Sequence, residues 1–459
     1  MNSLWMEAAA DVALGNTSAP PPPAGPTSRK RPRSTSPVPP SSKKSNKMTN
    51  LPDSTVLAEQ LLSPRTRNEA LNTLLKLTAN HELNYAVEGE SVLTALMDLV
   101  PVEPIPPPKE LDPKIAWARC DLHPNLGNVP ILHAVLVILR NLSFVAANLR
   151  PMAFHPEVLP LLITAMHLDH EHGDLVLNAL HTLVHLAPVL DVTGQRLLCD
   201  TLFVNNEQGL LRLGFGGLWL AKQLDNDILE VDDDNKLIWE ITKAHVQHIW
   251  GLFPALRHVL VNPTTPRLVL MMALDFIQEL LDHQETSNLP NMKQILQELP
   301  MEVVQRLVDF LWIPRLGPDA LDYVNPMHNI VSRVSTLKLL MGYDNTVDTD
   351  LRDRSLDVLV PLLNLSDDLV GNMSRFSPRL YDALFPILTT QVGRNDAPMM
   401  ANSLLKALSR HKNNRVGLMY AQERILSLGS KNARVAQVAL GQLYQFKIDD
   451  LETGPTDTD

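Results

Sequence analysis

The most site-like residues of this sequence are histidines and acids between positions 167 and 185. His181 and His185 stand four residues apart, a spacing that places two imidazoles on one helical turn, where they can share a metal ion. The preceding segment adds further potential ligands, namely His167, Asp169, His170, Glu171 and His172. A zinc site, or an enzyme built around one, is therefore the first chemistry to weigh.

The motifs that normally complete such a site are missing. The sequence has no HExxH, and its two cysteines, Cys120 and Cys199, are too far apart for a CxxC metal site. Phosphate-binding GxxxxGK[ST] and GxGxxG motifs and the GxSxG nucleophile motif do not occur either. We expect no catalytic residues, no metal and no cofactor, and assign His181 and His185 to packing or partner contact.

Arg140 and Asn141 are the candidate partner-binding residues. They interrupt the apolar run of residues 131–144 just before a turn, a position where a helix can present polar side chains to a groove. Capping of the helix end is an equally good interpretation. Arg140→Glu combined with Asn141→Ala is expected to weaken partner binding without unfolding the protein, whereas a loss of helicity or solubility would place both residues in the core.

Two basic clusters near the N-terminus form a third candidate site. Their basic residues are Arg29, Lys30, Arg31, Arg33, Lys43, Lys44 and Lys47. Residues 1–50 are rich in Pro and Ser and poor in apolar side chains, so we expect a disordered tail. Two separated clusters can occupy two acidic pockets of one import receptor at once. The pattern predicts a bipartite nuclear import signal with an importin-type partner; a generic basic or DNA-touching tail is the alternative.

The elements that would position these residues are helices. From residue 51 onward, apolar residues recur at i, i+3, i+4 and i+7, as in amphipathic helices packed on one face. Within residues 131–144, for example, Leu132, Val135 and Leu139 share one stripe. The sequence predicts an all-α fold.

A small or branched residue followed by Leu-x-x-Leu-x-x-Leu recurs along this helical region. Copies begin at Ala70, Val135, Ala179, Gly217, Ala273, Ala401 and Ala439, with further candidates at Arg333 and Ser355 that are too close together to be equivalent. Two steps of 38 residues and one of 44 are close to the period of armadillo and HEAT repeats, about 40 to 47 residues. The spacing predicts a right-handed superhelical solenoid of this type; an irregular helical bundle is the alternative.

The predicted organisation has three parts. Residues 1–50 form the tail, residues 51–447 the repeat domain, and residues 448–459 a disordered C-terminal tail. A proline-rich insertion over residues 101–130 cannot be one continuous helix and is expected to loop out of the stack.

Composition limits the partners. The net charge is −11, and the basic tail contributes about +5 of it, so the remainder carries about −16 and is a poor general binder of phosphate backbones. No stretch approaches the ~20 apolar residues of a membrane helix, and the scarcity of cysteine is typical of a reducing compartment. We expect nucleic-acid contact to be indirect at most and no membrane association. The cysteine content fits the cytosol or the nucleus, and the import signal predicts the nucleus.

Two segments resemble a known family. These segments are similar to the C-terminal armadillo-like domain of Osa-type subunits of SWI/SNF chromatin remodellers. The first spans residues 139–163 and contains the motif LSFVAAN. The second spans residues 411–446 and contains Tyr420, Glu423 and Leu426. The chain most resembles the short, solenoid-only form of the plant LEAF AND FLOWER RELATED type. The resemblance implies a non-catalytic scaffold that holds other remodeller subunits and supports transcription regulation. Another nuclear armadillo-repeat adaptor, such as an RSC-type remodeller subunit or a transcription co-regulator, is the alternative.

Overall fold

The described part of the chain is helical. The computed structural model describes residues 53–80, 91–100, 116–118, 127–168, 170–190, 233–285, 295, 298–311, 346–389, 394, 396–428 and 433–453. No strand occurs in these ranges, which confirms the predicted all-α class. The tail of residues 1–50 and its seven basic candidate residues lie outside the described residues.

Sixteen α-helices occur in the described ranges, and three-residue 3-10 helices such as His170–His172 join some of them. In chain order they are α1 Ser54–Leu62, α2 Arg67–Ala79, α3 Ser91–Asp98, α4 Val129–Ser143, α5 Ala146–Phe154, α6 Val158–Met166, α7 Gly173–Leu186, α8 Asp233–Val261, α9 Arg267–Glu285, α10 Met301–Leu311, α11 Thr346–Leu365, α12 Asp367–Asn372, α13 Arg379–Thr389, α14 Ala397–Ser409, α15 Arg415–Ser427 and α16 Ala433–Thr453. None of these helices is both long enough and apolar enough to cross a membrane.

Seven helices form a continuous series, the first row, in which each helix contacts the next: α2, α4, α7, α9, α11, α14 and α16. Each of them carries one copy of the repeat found in the sequence. The candidate at Ser355 lies in α11, between α9 and α14, while the copies at Gly217 and Arg333 lie outside the described residues. The leucine pattern thus marks the helices that stack on one another.

A second row lies beside the first. Here α6 contacts α8, α8 contacts α10, α10 contacts α13, and α13 contacts α15. Each of these helices also packs against the first-row helix that follows it in the chain. At the N-terminal end, α1 packs against both α2 and α3. The buried apolar side chains of both rows form one connected core.

The first position of the repeat explains how closely the first-row helices pack. It is at most 1% exposed in all seven helices, and its side chain is small or short, which lets neighbouring helices approach each other. The residues are Ala70, Val135, Ala179, Ala273, Ser355, Ala401 and Ala439. Ser355 satisfies its buried hydroxyl by donating to the carbonyl oxygen of Leu307 over 2.7 Å.

Part of the proline-rich insertion is packed against the core rather than looped out. Trp117 is 3% exposed, its ring lies 5.0 Å from that of Phe253, and its indole N–H donates to the carbonyl oxygen of Ile295 over 2.9 Å. Arg257 of α8 also donates to the carbonyl oxygen of Trp117. The expectation that the insertion loops away is therefore wrong at Trp117, because burial of a large indole outweighs the local preference of the prolines for an open loop.

The C-terminal boundary also differs from the prediction. Helix α16 continues to Thr453, past the boundary placed at residue 447. The residues that end a helix, Gly454 and Pro455, come only after this point. The predicted tail of residues 448–459 thus begins six residues too early.

Gly417 and Gly441 provide a matched test of the packing between α13 and α15. A Cβ atom on Gly417 would lie 2.3 Å from Cε2 of Tyr381 and 2.6 Å from Oγ of Ser377, whereas one on Gly441 would meet nothing within 4 Å. We expect Gly417→Ala to lower the free energy of unfolding by about 1 to 3 kcal/mol through overpacking. Gly441→Ala should raise it by up to about 1 kcal/mol, because alanine favours a helix interior. Urea unfolding of both variants measures the difference, and equal effects would contradict the packing described.

Candidate partner-binding site

Arg140 lies on α4, between α2 and α7, and is half-buried. Its Nη1 donates to Oδ1 of Asn178 on α7 over 2.8 Å, and its Nη2 donates to Oδ1 of Asn141 over 3.1 Å. The buried Nε has no hydrogen-bond partner in the described part of the chain. The guanidinium is thus held in one orientation while one of its donors remains unused.

Asn141 supports Arg140 from the interior. It is 3% exposed, and its amide donates to Oγ1 of Thr78 on α2 over 3.4 Å. The side chain therefore links α2 to α4 and positions Arg140, with little surface of its own to offer a partner. Of the two predicted site residues, the structure leaves only Arg140 with an accessible side chain.

Ser143, Phe144 and His185 extend the site toward the end of α4. The hydroxyl of Ser143 donates to the carbonyl oxygen of Arg140 over 2.6 Å, and its Oγ lies 2.8 Å from Nδ1 of His185. Because a hydroxyl has one hydrogen to give, Nδ1 of His185 must be the donor in the second contact. The ring of Phe144 is 48% exposed and lies 4.3 Å from the His185 ring.

Three histidines that feel the charge of Arg140 have lowered pKa values. Burial and, second, the positive charge of Arg140 lower the pKa of His185. The same two causes, followed by His185, lower the pKa of His181 to about 4. Burial also lowers the pKa of His133, against the opposing effect of Asp174. Burial lowers the pKa of Arg140 as well, but guanidinium groups remain protonated in proteins.

Five half-buried or exposed side chains form what we call the Arg140 face. His133 and Arg140 lie on α4, Phe144 directly follows α4, and His181 and His185 lie on α7. The face combines one fixed cation with imidazoles of lowered pKa and an exposed aromatic ring. Aromatic and arginine side chains of this kind dominate the energetics of protein interfaces. The positive charge of Arg140 can attract a carboxylate of a partner.

The remaining histidines of the predicted cluster lie elsewhere. His167 stacks on His258, with ring centroids 5.2 Å apart, and its two buried ring nitrogens have no hydrogen-bond partner among the described residues. His170 and His172 belong to the short 3-10 helix before α7, and Asp169 lies outside the described residues. Within those residues, no three His, Cys, Asp or Glu side chains are grouped so as to hold a metal ion.

A buried charge network on α11 was not found from the sequence. Arg352 and Asp353 are 2% and 3% exposed; Asp353 accepts from Nε of Arg352 over 2.7 Å and from the backbone N–H of Arg394 over 2.8 Å. Arg394 also donates to Asp357 over 2.6 Å. The charged run DLRDRSLD of residues 350–357 was the available signal. Because its partners are internal, the network fixes α11 rather than offering a ligand site.

The second resembling segment contributes an exposed surface. Tyr420, Glu423 and Leu426, the three residues on which the resemblance rests there, are exposed on α15. They lie in the second row, whereas the Arg140 face belongs to the first row.

No protein-family model matches the chain, and no curated protein is significantly similar to it.

The buried histidines predict that stability falls in weak acid. Burial and the neighbouring His258 lower the pKa of His167 from 6.5 to about 4. Below pH 6.5 the unfolded chain binds a proton at His167 that the folded chain excludes. The contribution of His167 to the free energy of unfolding is therefore fully present above this pH and is lost as the pH falls toward 4. For this one group the loss reaches about 2 kcal/mol at pH 5.

Urea unfolding between pH 8 and pH 4.5 measures this loss. His167→Phe removes the titrating group, so the free energy of unfolding should depend less on pH than in the wild type. His172→Phe, in the 3-10 helix before α7, is the control and should retain the wild-type dependence. Equal slopes for wild type and His167→Phe would show that His167 is not the responsible group.

Proposed function

We propose that this chain is a non-catalytic scaffold subunit of a SWI/SNF-like ATP-dependent chromatin-remodelling complex, where it holds other subunits and so supports transcription regulation. The observation that carries the proposal is the first row: seven repeat-bearing helices contact one another in sequence, and the Arg140 face lies on two of them. Such a row offers an extended surface, which suits partner proteins better than small substrates.

The proposed architecture is an armadillo/HEAT-like right-handed superhelical solenoid. The paired rows support it, because in such an array each repeat buries its apolar face only against its neighbours. The recurrence of a buried small or branched residue at this position in all seven first-row helices also favours a repeated unit over an irregular bundle.

The family proposal rests on the resemblance to Osa-type subunits in the LEAF AND FLOWER RELATED form. Residues 139–163, the first resembling segment, include Arg140 and Phe144 of the Arg140 face. The likeness therefore falls on the surface that has the features of a protein interface. A motor subunit distinct from this chain would supply the ATP hydrolysis.

Nuclear location is proposed from the two basic clusters, with an importin-type receptor as their partner. Replacing Lys43, Lys44 and Lys47 by alanine while Arg29 to Arg33 stay intact should shift a fluorescent full-length fusion toward the cytoplasm, since both pockets must be filled for tight binding. Unchanged nuclear accumulation would contradict the bipartite interpretation.

Purification of the tagged chain from nuclei, followed by mass spectrometry, tests the proposal as a whole. We expect the remodeller ATPase and its core subunits in the purified material. Recovery of an RSC-type set or of a transcription co-regulator complex instead would favour the alternative adaptor function. Recovery of the chain without stable partners would contradict a scaffold function.

A further inference from the structure

Arg140 is a half-buried cation whose hydrogen-bond partners are uncharged. Its Nη1 and Nη2 donate to the amide oxygens of Asn178 and Asn141. Burial lowers the pKa of Arg140, and no acid of the described part of the chain opposes this effect. Because a guanidinium stays protonated in proteins, Arg140 carries a charge that the two amides solvate but do not neutralise.

Other arginines that are at least partly buried are neutralised within the chain. Four of them, with side chains between 2% and 30% exposed, each pair with a carboxylate at 2.6 or 3.0 Å. These pairs are Arg257 with Glu302, Arg267 with Asp350, Arg352 with Asp353, and Arg354 with Asp275. A partly buried charge without such a partner is costly, and a carboxylate supplied by a second protein offsets that cost.

The guanidinium of Arg140 is held by two amides whose own N–H groups are already used. The amide of Asn141 donates to Oγ1 of Thr78 over 3.4 Å, and that of Asn178 donates to the carbonyl oxygen of Asp174 over 2.8 Å. Both asparagines therefore turn their oxygens toward Arg140, and both are buried, at 3% and 5% exposed. A guanidinium fixed in this way loses little conformational entropy when a carboxylate binds to it.

Asp174 is an acidic residue whose charge reaches the Arg140 face. It is exposed at the start of α7, and it opposes the lowering of the pKa of His133. Its charge is not among the causes that shift the pKa of Arg140. Asp174 therefore does not act as the counter-ion of the guanidinium.

An exposed aromatic ring lies one helical turn from Arg140. Phe144 directly follows α4 and keeps a helical backbone conformation, so its side chain and that of Arg140, four residues earlier, project from the same side. The Phe144 ring is 48% exposed and packs against the ring of His185. A ligand that reaches the guanidinium from this side therefore meets an apolar ring beside the charge.

We propose that the Arg140 face binds an acidic segment of a partner protein. One Asp or Glu carboxylate of that segment pairs with Arg140, and a neighbouring apolar or aromatic side chain packs on Phe144. A phosphate backbone fits less well, because the chain carries a net charge of −11 and nucleic-acid affinity requires many cations. The inference rests on the proposed function in one respect, the use of this face for partner binding, and does not depend on which complex the chain joins.

Peptide display on the full-length protein tests the inference. A library of short random peptides is selected on the wild type, and the affinities of the binders are then measured on Arg140→Met, which keeps most of the side-chain volume without the charge. We expect a class of peptides that loses about tenfold or more in affinity on this variant. Its members should contain an Asp or Glu next to an apolar or aromatic residue, and Phe144→Ala should weaken them as well.

A double-mutant cycle identifies the ion pair. Replacing the acidic residue of such a peptide by its amide should cost about tenfold or more on the wild type but little on Arg140→Met, because the two groups act together. Arg65→Met, at an exposed position between α1 and α2, is the control and should keep wild-type affinity. Circular dichroism should show unchanged helicity for all three variants.

Three outcomes would overturn the inference. They are the absence of any peptide that depends on Arg140, a dependent class without acidic residues, and equal losses for the amide peptide on wild type and Arg140→Met. Binding of a DNA duplex that depends on Arg140, when peptide binding does not, would likewise overturn it in favour of a phosphate ligand. Acidic peptides that depend on Arg140 would support the inference even if the chain purified without remodeller subunits, a result that contradicts the proposed function alone.

Discussion

Replacing Arg140 by glutamate is expected to reduce the recovery of partner subunits with the purified chain at least tenfold. The substitution reverses the only permanent charge of the Arg140 face. It also removes the two N–H groups that donate hydrogen bonds to the side-chain oxygens of Asn141 and Asn178. Loss of a central arginine at an interface commonly costs about 2 kcal/mol or more, which is roughly thirtyfold in affinity. Quantitative mass spectrometry of the purified complexes measures the loss.

Two controls separate binding from folding. Arg65→Glu makes the same charge change at an exposed position between α1 and α2 and should leave recovery unchanged. Arg140→Met keeps most of the side-chain volume but removes the charge, so it should raise the pKa values of His181 and His185, which NMR can follow. Full recovery of partners with Arg140→Glu, or loss of its helical circular dichroism, would contradict a direct binding function for Arg140.

Asn141 needs a separate test. Because its amide links Thr78 to Arg140 inside the structure, Asn141→Ala is a test of stability and would obscure the effect of Arg140→Glu in a double variant. The single variant should lower the free energy of unfolding by about 1 to 3 kcal/mol, since it leaves buried polar groups without partners.

Trp117→Ala is expected to cause the largest loss of stability, about 3 to 5 kcal/mol, which is usual for removing a buried tryptophan. The substitution removes the ring contact with Phe253 and the hydrogen bond to Ile295. Urea unfolding measures the loss, and trypsin should cleave faster after the flanking Lys114 and Arg119.

Trp117→Phe isolates the indole N–H. This variant keeps an aromatic ring but not the donor to Ile295, so it should cost less than Trp117→Ala. If Trp117→Ala has the same urea midpoint of unfolding as the wild type, Trp117 contributes nothing to the core. The insertion would then lie outside the stack, as the sequence predicted.

Local patterns were enough to predict the first row. The repeat copies at Ala70, Val135 and Ala179, for example, fall in α2, α4 and α7, because a small residue followed by spaced leucines directly encodes a helix face that packs on a neighbour. The copy at Ser355 was harder to place. Its polar first residue is accommodated by a hydrogen bond to Leu307, a contact between residues 48 positions apart that no local pattern reveals.

The site was predicted only in part for the same reason. Arg140 stood out as a charge in an apolar helix, yet its dependence on Asn178 is a long-range contact. His181 and His185 suggested a metal site by their spacing alone, whereas the lowering of their pKa values follows from burial next to Arg140. Trp117 was assigned to a loop because the surrounding prolines describe the local chain and say nothing about the distant α8 that buries it.

Site-specific crosslinking in the purified complex tests the central claim most directly. A photoreactive phenylalanine analogue at Phe144 on the Arg140 face is compared with the same analogue at Leu62, an exposed residue of α1. The account predicts that position 144 crosslinks to a subunit of a chromatin-remodelling complex much more strongly than position 62 does. Crosslinks at position 144 only to proteins outside such a complex, or equal labelling at both positions, would contradict it.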